Sequence, residues 1–381
     1  MDHHGTLKRD GMDPSLPLKN KIDRWIKLRL INLTEKVFAR KIYPPSVLDR
    51  LDPKRILIVR PHDQLGDFLL STPAFDALRN RFPRARIGIL VKEYFADAVK
   101  NHPAIDQILV FYPKTVQWTL DRMAEFCGSL IRHWDLAVVL SAESHSLTSD
   151  TLAVLSGARI VLGSGRLVFP GCTRNFLYNL VAPDGGTDRH QTEHNMDIAE
   201  YIGAKAEDLR EHVTVTPSEK ETLGSELKAR LPKPGKTVVG LHVGANKPPN
   251  RWPVEKFAEL ANRIHERLGA NVLLFWGPRE ADLAERFMRH VSFEPVRIPP
   301  SSLRKLAVYF SLCDAAVCND TGIMHLCAAV GTSLVALFGP TDPKHWKPIG
   351  GQITAVRGSE NKTENIRVSD VYRRVRALLI K

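Results

Sequence analysis

The sequence predicts an α/β protein built from two doubly wound units that face each other across a cleft. Three observations carry this. From Arg55 onward, short β-rich apolar runs alternate with helix-length segments of 3.6-residue periodicity, and that alternation makes a parallel sheet covered on both faces. The alternation halts at Pro232-Lys233-Pro234-Gly235 and then restarts, as expected at a domain boundary. The length, 381 residues, exceeds the ~150 residues of one typical domain.

In the first unit, strands are expected at Arg55–Arg60, Arg86–Val91, Gln107–Phe111, Leu136–Leu140 and Arg159–Leu162, with Val213–Val215 as a last strand. Helices are expected at Gly66–Phe82, Tyr94–Asn101, Val116–His133, Leu147–Ser156 and His190–Ile202. Pro73 breaks the first of these, with Ser71 or Thr72 as a second cap. The Gly- and Pro-rich stretch Pro170–Arg189 reads as loop, and Ser218–Leu231 as a charged helix. In the second unit, strands Thr237–His242, Asn271–Trp276, Ala315–Cys318 and Ser333–Phe338 alternate with helices Val254–Leu268, Glu280–His290, Leu303–Leu312 and Thr321–Val330. The helix Val368–Ile380 is amphipathic and is expected to return to the first unit. The resulting division is a basic extension at 1–50, a first unit at 51–217, a linker at 218–235, a second unit at 236–360 and a C-terminal helix at 361–381.

The net charge of +12 is concentrated at the ends. Lys19–Ile42 holds eight Lys/Arg against two acids, and Lys362–Lys381 six against two. The body is near neutral, which argues against a nucleic-acid groove through it. In Lys19–Ile42, Ile22, Trp25, Ile26, Leu30, Leu33 and Val37 share one helical face. Such a helix either lies on an anionic membrane surface or packs on the protein's own body. No apolar run reaches the ~18 residues of a membrane span. The polar start, Met1–Leu18, is read as disordered and not as a secretory leader. Five cysteines without a CxxC pair fit free thiols in a reducing cytoplasm.

Phosphate-loop, dinucleotide-fingerprint, nucleophile-elbow and HExxH signatures are all missing. His190-Gln191-Thr192-Glu193-His194 matches HxxEH but brings no third ligand, so it is read as a helix start or substrate contact and no metal is expected. Chemistry concentrates at four strand ends, where ligands bind in such sheets. After the first strand, Gly66 relaxes the backbone and Asp67 opens a helix, whose dipole favours a carboxylate able to accept a proton from an alcohol. In His242–Pro253, a Gly/Pro loop carries Lys247 and Arg251, either of which neutralises a diphosphate. Glu280 follows Trp276-Gly277, where a carboxylate binds ribose hydroxyls or simply fills a first helical turn. The fourth is Val317-Cys318-Asn319-Asp320-Thr321-Gly322-Ile323-Met324-His325. Here Asp320 or Thr321 caps a helix, Gly322 admits a close neighbour, and the helix start suits a diphosphate. His325 lies one turn in, on the face toward the same ligand.

With these residues in view, the sequence resembles glycosyltransferase family 9, the heptosyltransferases of lipopolysaccharide core synthesis. The LGD and STP of the first half carry the resemblance, together with His242–Pro253, NDTGIMHL and Phe338-Gly339-Pro340-Thr341-Asp342. It implies a GT-B fold, with the acceptor in the N-terminal domain and the nucleotide sugar in the C-terminal one. It further implies inverting, metal-independent transfer of heptose from ADP-heptose to a lipid-linked acceptor at the inner face of the inner membrane, with no cofactor beyond the donor. Asp67 is then similar to the general base. Asp320, Thr321, Gly322 and His325 are similar to the sugar and diphosphate contacts, and Glu280 to the ribose acid. Gly66, His62, Gly244, Lys247, Arg251 and Asn319 complete the substrate-binding set. Two departures stand out: Asn250-Arg251-Trp252 replaces Lys-Arg-Trp or Lys-His-Trp, and His62-Asp63-Gln64 replaces a Ser-rich pair. Two rival readings are a GT-B transferase of another nucleotide sugar and a non-catalytic protein that binds a membrane or nucleic-acid surface.

Overall fold

The computed structural model describes residues 33–61, 64–141, 146–166, 168–169 and 171–380. The disorder expected at Met1–Leu18, most of the basic helix expected at Lys19–Ile42, and His62 lie outside the described residues.

Two six-stranded parallel sheets form the architecture. The first runs β3-β2-β1-β4-β5-β6 and the second β12-β11-β10-β7-β8-β9. The first comprises β1 (Arg55–Arg60), β2 (Arg86–Lys92), β3 (Gln107–Phe111), β4 (Leu136–Val139), β5 (Ile160–Ser164) and β6 (Leu180–Ala182). The second comprises β7 (Val238–His242), β8 (Asn271–Phe275), β9 (Val296–Ile298), β10 (Ala315–Asn319), β11 (Ser333–Phe338) and β12 (Ile353–Arg357). The central strands are buried along their whole length, as β7, β8, β10 and β11 are. This is why they read as continuous apolar runs rather than alternating ones. In each sheet the strand order reverses at the middle, β1 against β4 and β10 against β7, and the reversal leaves a crevice at the carboxyl ends.

Three strands escape sequence reading. β6 and β9 are three residues long, too short for any period to emerge. β12 pairs only with β11, at the sheet's edge, and is mostly half-exposed. The expected strand Val213–Val215 has no regular secondary structure and belongs to neither sheet; its Val213 N–H instead donates to Ala329 O at 2.9 Å. The helix expected over Gly66–Phe82 is two helices, Leu65–Leu69 and Thr72–Arg81. Pro73 has no N–H to continue the ladder. The Ser71 and Thr72 hydroxyls donate backward to Phe68 O (2.6 Å) and Leu69 O (2.8 Å), so they close the first helix instead of capping the second.

The helix Val368–Leu379 stays with the second unit. Val368, Val371 and Val375 join the core of Trp252, Phe257, Leu260 and Ile264, which corrects the expected return to the first unit. Its apolar face packs against the helix Val254–Leu268, and burying both faces takes apolar surface out of water. At the other end, residues 33–43 lie on the first unit. Glu35 accepts from Thr173 N at 3.0 Å and Thr173 Oγ1 at 2.6 Å, and the Arg40 and Tyr43 amides donate to Phe176 O and Asn179 O. Their apolar side chains, Leu33, Val37 and Phe38, point outward.

Leu303, Ala307, Leu326 and Ala329 of the second unit belong to the same hydrophobic cluster as Leu65, Phe68 and Ala74 of the first. The two units thus share a core beneath the cleft. Replacing Phe257, fully buried and set against Trp252 at 4.9 Å, by Ala should cost about 3–5 kcal/mol in urea unfolding. A loss below about 1 kcal/mol would show that this core is not closed by its two covering helices.

Candidate active site

Two helix starts meet across the cleft. One is Leu65–Leu69 after β1, and the other is Gly322–Ala329 after β10. Glycine stands at the contact on both sides. A Cβ on Gly322 would lie 2.7 Å from Leu65 Cβ and 3.2 Å from Gly66 N, and a Cβ on Gly66 would lie 2.8 Å from His325 Cδ2. Side chains at either position would hold the helices apart.

Asp67 is fixed from behind. The Arg60 guanidinium, buried at the end of β1, donates to Asp67 O at 2.6 Å, and Asn195 Nδ2 donates to Leu70 O at 3.2 Å. Burial pushes the Asp67 carboxyl above its ordinary 3.8, against the opposing pull of Arg60, His325 and Lys247. The carboxylate expected from the sequence is therefore held at a cost: desolvation outweighs the charges that favour it and makes Asp67 a stronger base than an exposed carboxylate.

Opposite, Thr321 is the cap, its Oγ1 accepting from Ile323 N at 3.2 Å. Asp320 is left to face the cleft, accepting from Asn250 Nδ2 at 3.0 Å, and burial raises its carboxyl as well, opposed by Thr341, His325 and Lys247. His325 is buried, with Nδ1 2.8 Å from Glu211 Oε1. Lys247 is exposed and has no ion pair among the described residues, and its charge acts on both Asp67 and Asp320. Arg251, by contrast, is committed: Nε donates to Ala245 O at 2.6 Å, and its guanidinium stands 3.8 Å from Glu280. Of the two cations, Lys247 is the one whose ammonium is not engaged by another side chain among the described residues.

Glu280 is buried against Gly244, where any side chain would overlap its carboxylate, and it accepts from Gly277 N at 2.7 Å. It is the N-cap residue of Ala281–Met288 but gives that helix no side-chain bond. Nearby, burial holds His242 down to about 4 despite Glu280, so its imidazole is neutral.

Asn319 departs from its expected role. It is fully buried, its Nδ2 donating to Val243 O and Gly244 O (both 3.1 Å) and its Oδ1 accepting from Trp252 N at 3.0 Å. It staples the Gly/Pro loop to β10, with both Nδ2 bonds and one Oδ1 bond made inside the protein. His190 and Glu193 form a capping box at a helix start, and His194 lies 2.6 Å from Arg166 Nη1, so the HxxEH string serves the fold. Asp76, His102 and His212 lie within 4.8 Å of one another by their ligand atoms. The Ala104 amide donates to His102 Nδ1 at 3.2 Å, so in the neutral ring Nε2 carries the hydrogen.

The family model described as glycosyltransferase family 9 (heptosyltransferase) matches residues 174–375, more than half of the chain. The chain belongs to glycosyltransferase family 9. It is a glycosyltransferase. It is 25% identical over 334 residues to lipooligosaccharide heptosyltransferase 2 of Haemophilus influenzae, covering 83% of this chain and 92% of the relative. To lipopolysaccharide heptosyltransferase 2 of Salmonella typhimurium it is 28% identical over 325 residues, covering 80% and 88%. A family 9 glycosyltransferase from Veillonella parvula superposes with a TM-score of 0.76 at 20% identity, over 86% of this chain and 97% of that one. The E. coli ADP-heptose heptosyltransferase II superposes at 0.70 with 20% identity, over 86% and 98%. The fold of this transferase is GT-B, as its two sheets and their facing carboxyl ends require.

Three residues around the transferase's site carry no signal in the sequence: Arg60, which ends β1 and ties down the Asp67 backbone, and Asn195 and Glu211, which lie far along the chain from the groups they meet. Asn250 stands out in the sequence only as the residue that takes the place of the family's Lys. Replacing Asn319 by Ala should cost about 1–3 kcal/mol for each buried backbone group left unpaired, read as a lower melting temperature. An Asn319→Ala chain that melts like wild type would show that the amide is not the staple described.

Proposed function

We propose that this transferase moves a heptose from ADP-heptose to a lipid-linked acceptor of the lipopolysaccharide core type, with inversion at the anomeric carbon. The observation that carries the reading is the meeting of the two helix starts through Gly66 and Gly322, which sets a desolvated carboxylate against a helix terminus suited to a diphosphate. Relatives named as heptosyltransferases along most of the chain, and a neighbouring E. coli heptosyltransferase structure described with an ADP-2-deoxy-2-fluoro heptose, support the choice of donor.

In this reading Asp67 takes the proton of the acceptor hydroxyl as its oxygen attacks the anomeric carbon. The new C–O bond forms on one face of the sugar while the bond to the diphosphate breaks on the other, and ADP leaves with the electron pair. Thr321 and Gly322 at the helix start, with Lys247, meet the charge that develops on the leaving group. These groups supply the stabilisation that a divalent cation otherwise provides, so the reading needs no metal. Glu280 and Gly244 form the ribose end of the donor site, with Arg251 holding Glu280 in place.

The acceptor side rests on the first unit and on the basic extension. Its described end turns Leu33, Val37 and Phe38 outward beside Lys36, a surface suited to an anionic membrane. No described helix is long and apolar enough to cross a bilayer, so contact with lipid would be peripheral.

Asp67→Asn should lower turnover by about 10²–10⁴-fold while leaving ADP-heptose affinity, read by isothermal titration, within about twofold of wild type. Because Asp67 acts as a carboxylate and burial raises its pKa above 3.8, activity should rise with pH along a limb centred above that value. Wild-type turnover in Asp67→Asn would remove it as the base. Tighter binding of another nucleotide sugar than ADP-heptose would overturn the donor.

A further inference from the structure

We propose that Glu211, which lies on the chain segment crossing between the two units, is a positioning residue for the transfer reaction: it orients the His325 ring so that Nε2 faces the Gly66–Asp67 side of the cleft. The inference rests on the donor-site reading above and extends it to a residue outside every recognised motif.

The geometry is direct. His325 Nδ1 lies 2.8 Å from Glu211 Oε1, and the two side chains are 3% and 1% exposed. An ionised carboxylate only accepts, so Nδ1 carries a hydrogen and donates it. The opposite edge of the ring faces Gly66: a Cβ built there would stand 2.8 Å from Cδ2 and 3.2 Å from Nε2. The ring therefore spans from the crossover to the contact between the helix starts, and Glu211 fixes its rotation and tautomer.

The crossover is itself held on both sides of Glu211. His212 N donates to Thr72 Oγ1 of the first unit at 3.0 Å, and Val213 N donates to Ala329 O of the second at 2.9 Å. Glu211 is thus delivered to His325 by a strap tied to both units. The other Glu211 oxygen, Oε2, is buried without a hydrogen-bond partner, an arrangement that favours a cationic ring as its counter-charge.

Several charged groups bear on this ring. Glu211 faces it from the crossover, Asp67 from the helix Leu65–Leu69, Asp320 from the turn before its own helix, and His190 from the start of the helix Gln191–Glu200. Lys247 lies beyond, acting on both aspartates. Burial alone would drive the imidazole neutral, but Glu211 first, then Asp320 and Asp67, overcome it and raise its pKa. A ring so held presents an Nε2–H to the diphosphate and loses that charge only as pH rises through the raised pKa.

The test uses the full chain. ADP affinity by isothermal titration and turnover with ADP-heptose are measured against pH for wild type, Glu211→Gln, His325→Gln and the double variant, with melting temperature alongside. Glu211→Gln keeps an acceptor for Nδ1–H but removes the charge. It should weaken ADP binding about tenfold at neutral pH and move the alkaline limb of the binding profile down by about one pH unit or more. In the His325→Gln background the same change should cost less than about twofold, because residues acting as a unit are non-additive. A Glu211→Gln chain that only melts earlier, with its alkaline limb in place, overturns the proposal. So does a full tenfold loss retained in the His325→Gln background. If wild type binds neither ADP nor ADP-heptose, the donor-site reading fails, and this inference falls with it.

Discussion

The contact between Gly66 and Gly322 is the constraint on which the rest of the molecule depends. Two parallel sheets can each place a helix start at a carboxyl edge, but bringing the two starts into contact requires that neither carry a side chain there. Once they touch, Leu326 and Ala329 on one helix continue into the core that holds Leu65 and Phe68 on the other. The hydrophobic effect then stabilises a juxtaposition that serves chemistry. The polar groups around the contact cost stability rather than add to it. Asp67, Asp320 and Glu211 are drawn out of water at one place, and the adjacent Arg60, Lys247 and His325 make that tolerable.

This pattern accounts for the electrostatics of the site. Three carboxylates converge on one imidazole, and both aspartates have pKa values raised by burial. Enclosed by two domains, Asp67 becomes a better proton acceptor than an exposed carboxylate. Enclosure and reactivity are thus one property, produced by the packing of the units.

Much of the fold was legible because its central strands are buried on both faces and its helices present one apolar stripe each, so period and length separate them. What escaped were β6 and β9, too short for a period to show, and β12, an edge strand whose burial is too slight to leave a pattern. The helix Val368–Leu379 was recognised as a helix, but its partner was not, since an amphipathic face announces that it will be covered without saying by what. In the site, residues with local jobs were readable: Asp67 and Thr321 at helix starts, and Gly322 in a tight turn. Residues whose jobs depend on distant partners were not. Asn319 reads in one dimension as a ligand contact, and the fold shows its amide stapling a loop, a job that depends on partners far along the chain. Glu211 gave no signal, because only the folded chain brings the crossover to His325.

The placement of Val368–Leu379 has a mechanical consequence. Because that helix remains with its own unit, the described chain passes between the units at one point, the segment leading from Glu211 into Pro217–Arg230. Two bodies joined by one peptide strand keep nearly all their relative freedom. What holds them in register is noncovalent: the shared apolar layer, the Arg304 guanidinium donating to Lys100 O at 3.3 Å, and at the rim the exposed contacts of Asp188 with Lys344 and His345. The rim contacts are the ones that dissolved ions weaken, while the apolar layer resists them. The molecule is therefore built like a clasp with a stiff knuckle and a loose catch, and it should yield first at the catch.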